Sequence, residues 1–174
     1  MAKRTYVIDD EPAKDGPLTK LVVDPVWPLL GVMLGGVWLG WPWLLLNGRA
    51  LGSPNWTGQA RLLAVGLGVT IALAVAIVML IEADIIRTAT HIRLALLAVT
   101  VWKLGISYKV HALQAGTFEL FRYYGGAPRS GVMPLLLGVY VGRSLVLGLI
   151  ESVVWIIVVS GGADYTGPAT TEGP

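Results

Sequence analysis

The chain has no cysteine, so it can form neither a disulfide framework nor a thiolate metal site. Charged residues make up 14% of it, against about 25% in an ordinary soluble domain. That deficit is too large to keep a soluble domain of 174 residues dispersed. The formal net charge of +2 leaves no clustered basic face, so we expect no nucleic-acid partner.

The sequence also has none of the compact catalytic motifs. It has no nucleophile elbow, no phosphate-binding G-x-x-x-x-G-K-[ST] loop and no H-E-x-x-H pair. Its two histidines, His91 and His111, would lie about 30 Å apart on one helix and could not share a metal. A haem at either would need a second axial ligand from another subunit or residue type. We therefore expect that the protein is not an enzyme and that it binds neither a metal ion nor a haem.

What the chain does have is long apolar runs, with 55% hydrophobic residues. A hydrocarbon core about 30 Å thick needs roughly 20 apolar residues in a helix, and four runs approach that length: 26–46, 61–81, 92–110 and 132–159. They predict an all-α integral membrane protein with about four transmembrane helices, arranged as two helical hairpins. Polar tails, 1–24 and 161–174, flank this domain of residues 25–160. Lys103 and Lys109 interrupt the third run, so the sequence leaves open whether this run crosses the whole bilayer.

Glycines form ridges on two of these runs. Gly31, Gly35, Gly36 and Gly40 make two consecutive G-x-x-x-G pairs. Residues four apart share a helix face, so these glycines cut a groove in which another helix can approach closely. A second ridge of small residues, containing Gly138 and Gly142, lies in the fourth run. Both ridges predict helix packing, and bound lipids are expected around them.

Four charged residues lie within or at the ends of the apolar runs: Glu82, Lys103, Arg143 and Glu151. A charge at bilayer depth costs at least about 2.5 kcal/mol, so such residues face other helices or water. Arg143 and Glu151 are about 12 Å apart along one helix and should not pair directly. We expect Glu82 or Asp84 to pair with Arg143, and Lys103 with Glu151. The charges either form structural cross-helix ion pairs or line a polar path for an ion or proton.

Two polar turns, 47–59 and 114–131, carry glycine and proline where the chain must reverse. The second holds an aromatic cluster with an arginine, which is typical of a segment lying on lipid headgroups or contacting another protein. The residues predicted to contact a partner or the interface are Asn47, Arg49, Phe118, Phe121, Arg122, Tyr123 and Tyr124.

The first turn carries a resemblance. The run that ends in Asn-Gly-Arg-Ala-Leu-Gly-Ser-Pro is similar to a pattern in small, uncharacterised bacterial membrane proteins, whose glycine-rich first helix ends in Asn-x-x-Ala-Leu-Gly-x-Pro. The matching positions are Gly35, Gly36, Gly40, Asn47, Ala50, Leu51, Gly52 and Pro54. The positions that resemble the same group's second turn are Gln114, Phe118, Gly125, Gly126 and Ser130. The resemblance covers about residues 30–160 and implies a four-helix protein of the bacterial inner membrane, with no activity attached.

These observations favour a non-catalytic structural, accessory or assembly subunit of a membrane complex, which acts through helix packing and loop docking. Its expected partners are membrane lipids and either other membrane subunits or further copies of itself. The alternative is an oligomeric channel or transporter with a polar path involving Arg143, Glu151 and Glu82. That alternative requires oligomerisation, because four helices are few for a pore within one chain.

Overall fold

The computed structural model describes residues 18–150 and 152–160, and the regular elements in this part of the chain are helical. A 3-10 turn, Thr19–Leu21, is followed by α1 (Val26–Gly35), α2 (Val37–Ala50), α3 (Trp56–Glu82) and α4 (Ala89–Tyr123). Then come α5 (Val132–Leu137), a π-helical segment (Gly138–Gly142), α6 (Arg143–Leu147) and α7 (Val153–Ser160). The predicted tails at 1–17 and 161–174, and Glu151, lie outside the described residues. Residues 18–24 are also predicted as tail, and two of them, Val22 and Val23, are buried.

The first apolar run is a hairpin of two helices and not one helix. Gly36 has φ +96° and ψ 178°, which breaks the helix and turns α2 back along α1. A Cβ on Gly40 would collide with the Pro28 carbonyl oxygen and with Val32, so the two helices touch backbone to backbone. The glycine groove is filled by the chain itself. The prediction of a single crossing over 26–46 is therefore wrong.

The second and third apolar runs lie within two long helices. Among the described residues, α3 and α4 are the two helices long and apolar enough to cross a membrane, with 27 and 35 residues. α4 continues well beyond 110 and covers much of the predicted second turn. The reversal begins only at Tyr124, followed by Gly125 at φ +84°. The start of that turn at Gln114 is therefore wrong, because the helix continues through Gly116 and ends only at Tyr123.

The fourth apolar run is also divided. α5, the π-helical segment and α6 run continuously over Val132–Leu147, the helix ends in a turn at 148–149, and α7 follows from Val153. Ile157 and Val158 of α7 pack in one apolar cluster with Ala74 and Ile77 of α3 and Val99 of α4. Where four unbroken spanning helices were predicted, the described residues thus show two long helices accompanied by shorter ones.

Two further apolar clusters hold the helices together. In the first, α1, α2, α3 and α4 contribute Val32, Val37, Trp41, Leu44, Leu63, Ile106 and Val110. The second closes the end of the molecule where α2 ends and α3 begins, and it consists of Val22, Ala50, Leu51, Phe118 and Phe121. We call this the amide end, for the hydrogen-bond network that lies beside it.

Candidate functional site: a buried amide network and an interior lysine

Three side-chain amides meet in the interior at the amide end. Asn47, Gln59 and Gln114 are 1%, 0% and 0% exposed. The Gln114 Nε2 group donates to Gln59 Oε1 at 2.9 Å and to the Leu44 carbonyl oxygen at 2.7 Å. The Gln114 Oε1 atom accepts from Asn47 Nδ2 at 3.2 Å. One glutamine of α4 therefore bonds both to the end of α2 and to the start of α3.

The network extends to two further segments. Asn47 Oδ1 accepts from the backbone N–H of Val23 at 3.0 Å, which fixes the residues just before α1. Gln59 Nε2 donates to the Ser53 hydroxyl at 2.8 Å, which fixes the turn between α2 and α3. Each such bond contributes about 0.5–1.5 kcal/mol net, but a buried polar group left unpaired costs about 1–3 kcal/mol. The network therefore penalises any arrangement that separates these segments.

The turn sequence is built around this network. A Cβ on Gly48 would lie 2.6 Å from Gln59 Oε1 and 2.8 Å from Gln114 Nε2, so a larger residue would displace an amide. Gly52 has φ +65°, a left-handed conformation that glycine adopts without strain. The Ser53 N–H then donates back to the Gly48 carbonyl oxygen at 3.0 Å. The Asn-Gly-x-x-x-Gly-Ser part of the turn thus has a structural explanation.

Three of the predicted outward contacts are interior residues. Asn47, Phe118 and Phe121 are buried and contact this same chain. Because α4 remains helical, Gln114, Phe118 and Phe121 follow one another at helical spacing on its inner face. That spacing is visible in the sequence and could have placed Gln114 in the interior. The other predicted contacts are exposed side chains: Arg49, Arg122, Tyr123 and Tyr124.

Lys103 lies in the interior of the helix bundle and is 4% exposed. Its Nζ donates to the carbonyl oxygens of Ile157 and Val158, at 3.1 and 2.8 Å. These carbonyls belong to the last turn of α7, where a helix leaves acceptors unsatisfied and favours a cation. Lys103 therefore caps α7. Its predicted partner Glu151 lies outside the described residues.

The same helix end also meets the tip of the α1–α2 hairpin. A Cβ on Gly36 would collide with the carbonyl oxygen of Val159, so the two backbones are in direct contact. The start of α2 and the carbonyl end of α7 are thus adjacent, which is the favourable pairing of helix dipoles. We call the set of Gly36, Lys103 and residues 157–159 the helix junction.

A polar pair links α2 to α4 between the junction and the amide network. The Trp41 indole N–H donates to the Ser107 hydroxyl at 2.8 Å, and that hydroxyl donates to the Lys103 carbonyl oxygen at 2.7 Å. Both side chains are buried. The sequence contains only a weak signal for Ser107: it lies four residues from Lys103 and seven from Gln114, on the same helix face.

The predicted glycine ridges pack within the chain. Gly31 lies beside Gly40 and the Trp43 ring, and Gly35 lies against Leu39. On the second ridge, added Cβ atoms would collide with side chains of α2: Gly138 with Leu39, and Gly142 with Trp38. The α5–α6 run therefore lies directly against α2.

Among the described residues, the other predicted charges do not lie in one cluster. The Arg143 guanidinium donates to the Leu34 carbonyl oxygen at 3.5 Å. Glu82 is exposed at the last residue of α3. Asp84 pairs with Arg87 on the surface at 2.6 Å. Arg143 thus reaches the end of α1, while Glu82 and Asp84 belong to the connection between α3 and α4.

Both histidines lie on α4, separated by twenty residues or about 30 Å of helix. His91 is exposed, and the His111 ring lies 6.1 Å from that of Tyr108. Among residues 18–150 and 152–160, no three His, Asp or Glu side chains are grouped to hold a metal ion.

Comparison with known proteins finds no match to this chain among family models, curated proteins or solved structures. What the protein does is therefore inferred from its own geometry. Two features dominate that geometry, the amide network and the helix junction, and both hold helices in place.

Proposed function

We propose that this chain is a non-catalytic integral membrane protein that acts as a structural or accessory subunit. In this proposal α3 and α4 cross the bilayer, and the α1–α2 hairpin enters it from the amide end. Only 22% of the most apolar 18-residue window of each long helix is buried within the chain, so lipid or another helix covers the rest. The break at Gly36 then lies against the backbone of α7, where irregular backbone is tolerated at membrane depth. The proposed location is the bacterial inner membrane, on the resemblance of the first turn.

The observation that supports a subunit role best is a stripe on the outer face of α4. Leu94, Leu97, Val101 and Tyr108 are each at least 56% exposed, and they recur at helical spacing. Between them lies Gly105, where an added Cβ would meet no atom within 4 Å. A small residue flanked by apolar side chains is how membrane helices approach one another closely. We propose that another membrane subunit or a second copy of this chain packs on this stripe.

A substitution at Gly105 tests this proposal. Leucine there should reduce the associated fraction about tenfold, because its side chain prevents the close approach that a small residue allows. A tenfold change corresponds to a loss of about 1.4 kcal/mol. The fold of the single chain should be unchanged, because the added side chain points into open space. The measurement is particle mass by light scattering, with identification of co-migrating proteins, after mild-detergent purification at native abundance.

The matched control is Gly68→Leu on α3, where a Cβ also meets nothing within 4 Å. Under the proposal this variant associates like the wild type. A wild-type chain that purifies alone as a monomer contradicts the subunit role. Equal association of the two leucine variants contradicts the α4 stripe as its contact.

One observation favours a second candidate, an oligomeric channel or transporter. At the helix junction the break at Gly36 meets the last described turn of α7 beside an interior lysine, and discontinuous helices meeting at an ionisable group are how many transporters hold their ions. Arg143 donates to the carbonyl of Leu34, on the turn just before Gly36. A path through Lys103 and Arg143, continuing to Glu151 and Glu82, is the form this candidate takes.

Replacing Lys103 by methionine separates the two candidates. If the lysine is only a helix cap, wild-type liposomes carry no flux, and the variant loses stability because two buried carbonyls lose their donor at about 1–3 kcal/mol each. If it lies on a path, the wild type carries a flux that falls at least tenfold in the folded variant. The flux of protons, Na⁺, K⁺ and Cl⁻ is measured with Lys109→Met as the control, since Lys109 is exposed on the same helix. Equal stability of the two variants, with no flux in any sample, contradicts both roles.

A further inference from the structure

A cavity of about 400 Å³ lies at the amide end, between the 3-10 turn, α2 and α5. Its lining is largely apolar, and its two charged side chains are both arginines. The lining includes Trp43, Leu46, Arg49, Arg129, Met133 and Pro134.

The two arginines are positioned by different parts of the fold. The Arg49 guanidinium lies 5.5 Å from the centre of the Trp56 ring, a cation–π contact that orients it. The Arg129 backbone N–H donates to the Val22 carbonyl oxygen at 2.8 Å, which ties its segment to the residues before α1. Among the described residues, neither guanidinium has a carboxylate partner. Both are exposed and can bind an anion.

The apolar part of the cavity continues onto the outer surface. Trp43, Leu46 and Arg49 follow one another at intervals of three along one side of α2, a rise of about 9 Å from tryptophan to arginine. Across from them, Met133 and Leu137 of α5 are exposed apolar side chains. Along α2 the surface therefore changes from apolar at Trp43 to cationic at Arg49. A phospholipid changes from acyl chain to charged headgroup over about the same distance.

We propose that this cavity binds an anionic phospholipid. The phosphate lies between Arg49 and Arg129, whose guanidinium groups donate paired N–H bonds that match phosphate oxygens. One acyl chain follows Trp43, Leu46 and Met133 into the hydrocarbon. This inference rests on the membrane placement proposed above. It adds the charge of the lipid headgroup and the binding site on the protein.

The test uses the full chain in nanodiscs with equal amounts of phosphatidylglycerol and phosphatidylcholine, followed by native mass spectrometry of the retained lipids. We expect the wild type to retain phosphatidylglycerol preferentially. Replacing both arginines, Arg49→Gln with Arg129→Gln, should reduce that preference about tenfold or more. Arg61→Gln is the matched control, because Arg61 is exposed near the start of α3 and does not line the cavity. Equal thermal unfolding of all three proteins shows that the fold is intact.

Three outcomes would overturn the lipid site. The first is equal retention of both lipids by the wild type, and the second is the same loss in Arg61→Gln, which would indicate diffuse surface charge. The third is displacement of phosphatidylglycerol by millimolar glycerol phosphate, which would make a free phosphate the ligand. A chain that stays soluble without detergent would instead overturn the membrane placement. That result is distinguishable, because the lipid-site outcomes all concern a protein that needs detergent.

Discussion

Replacing Gly36 by alanine should destabilise the protein by about 3 kcal/mol or more, close to the upper limit for single substitutions. The backbone of Gly36, at φ +96° and ψ 178°, lies in a region that is essentially restricted to glycine and costs other residues about 1–3 kcal/mol. The new Cβ would also collide with the Val159 carbonyl oxygen. That oxygen belongs to the end of α7, so relief requires a helix to move. Thermal unfolding in mild detergent measures the loss.

The sign of this effect decides between two structures. If residues 26–46 formed one continuous helix, alanine at position 36 would stabilise it by about 0.5–1 kcal/mol, because glycine is unfavourable within helices. Gly68→Ala supplies the matched control, since Gly68 is exposed within α3 and has open surroundings. It should be neutral or slightly stabilising. A Gly36→Ala variant that behaves like this control would exclude the hairpin.

The hairpin is also the clearest limit of prediction from sequence. Gly31, Gly35, Gly36 and Gly40 correctly indicate a groove for close helix contact. The pattern cannot show whether the groove accepts another helix or the continuation of its own, since both place small residues four apart. The decisive quantity is the φ of Gly36, which a glycine leaves free. The length of the apolar runs, in contrast, located α3 and α4, because these helices contain no pair of glycines four residues apart.

The polar interior was harder to predict. Lys103, Ser107, Gln114 and Phe118 share the inner face of α4, yet the lysine and the glutamine suggested interruption and a turn. Polarity alone does not distinguish a solvent-exposed residue from a buried one whose partners come from distant segments. Gln114 has partners 55 to 70 residues away. Such pairs become visible only once the helices are placed.

Replacing Gln114 by leucine should cost about 3 kcal/mol or more. Leucine fills a similar volume but removes one hydrogen bond from the Leu44 carbonyl and leaves two buried groups without a partner, Asn47 Nδ2 and Gln59 Oε1. Each costs about 1–3 kcal/mol when unpaired in the interior. For a chain of this length the loss corresponds to a fall of about 6–12 °C in Tm. Glu119→Leu, an exposed position five residues further along α4, should stay within about 0.5 kcal/mol of the wild type.

A variant with leucine at Asn47, Gln59 and Gln114 together tests the mechanism of that loss. If unpaired amides cause it, removing all three should recover part of the stability, because replacing both partners of a buried hydrogen bond is nearly neutral. The recovery is incomplete because the Val23 N–H and the Ser53 hydroxyl still lose their partners. If the triple variant instead loses the sum of three single losses, cavity and shape effects dominate and the amides are not acting as a unit. A Gln114→Leu variant as stable as the wild type would show that the amide end is held by its apolar cluster of Val22, Leu51, Phe118 and Phe121 alone.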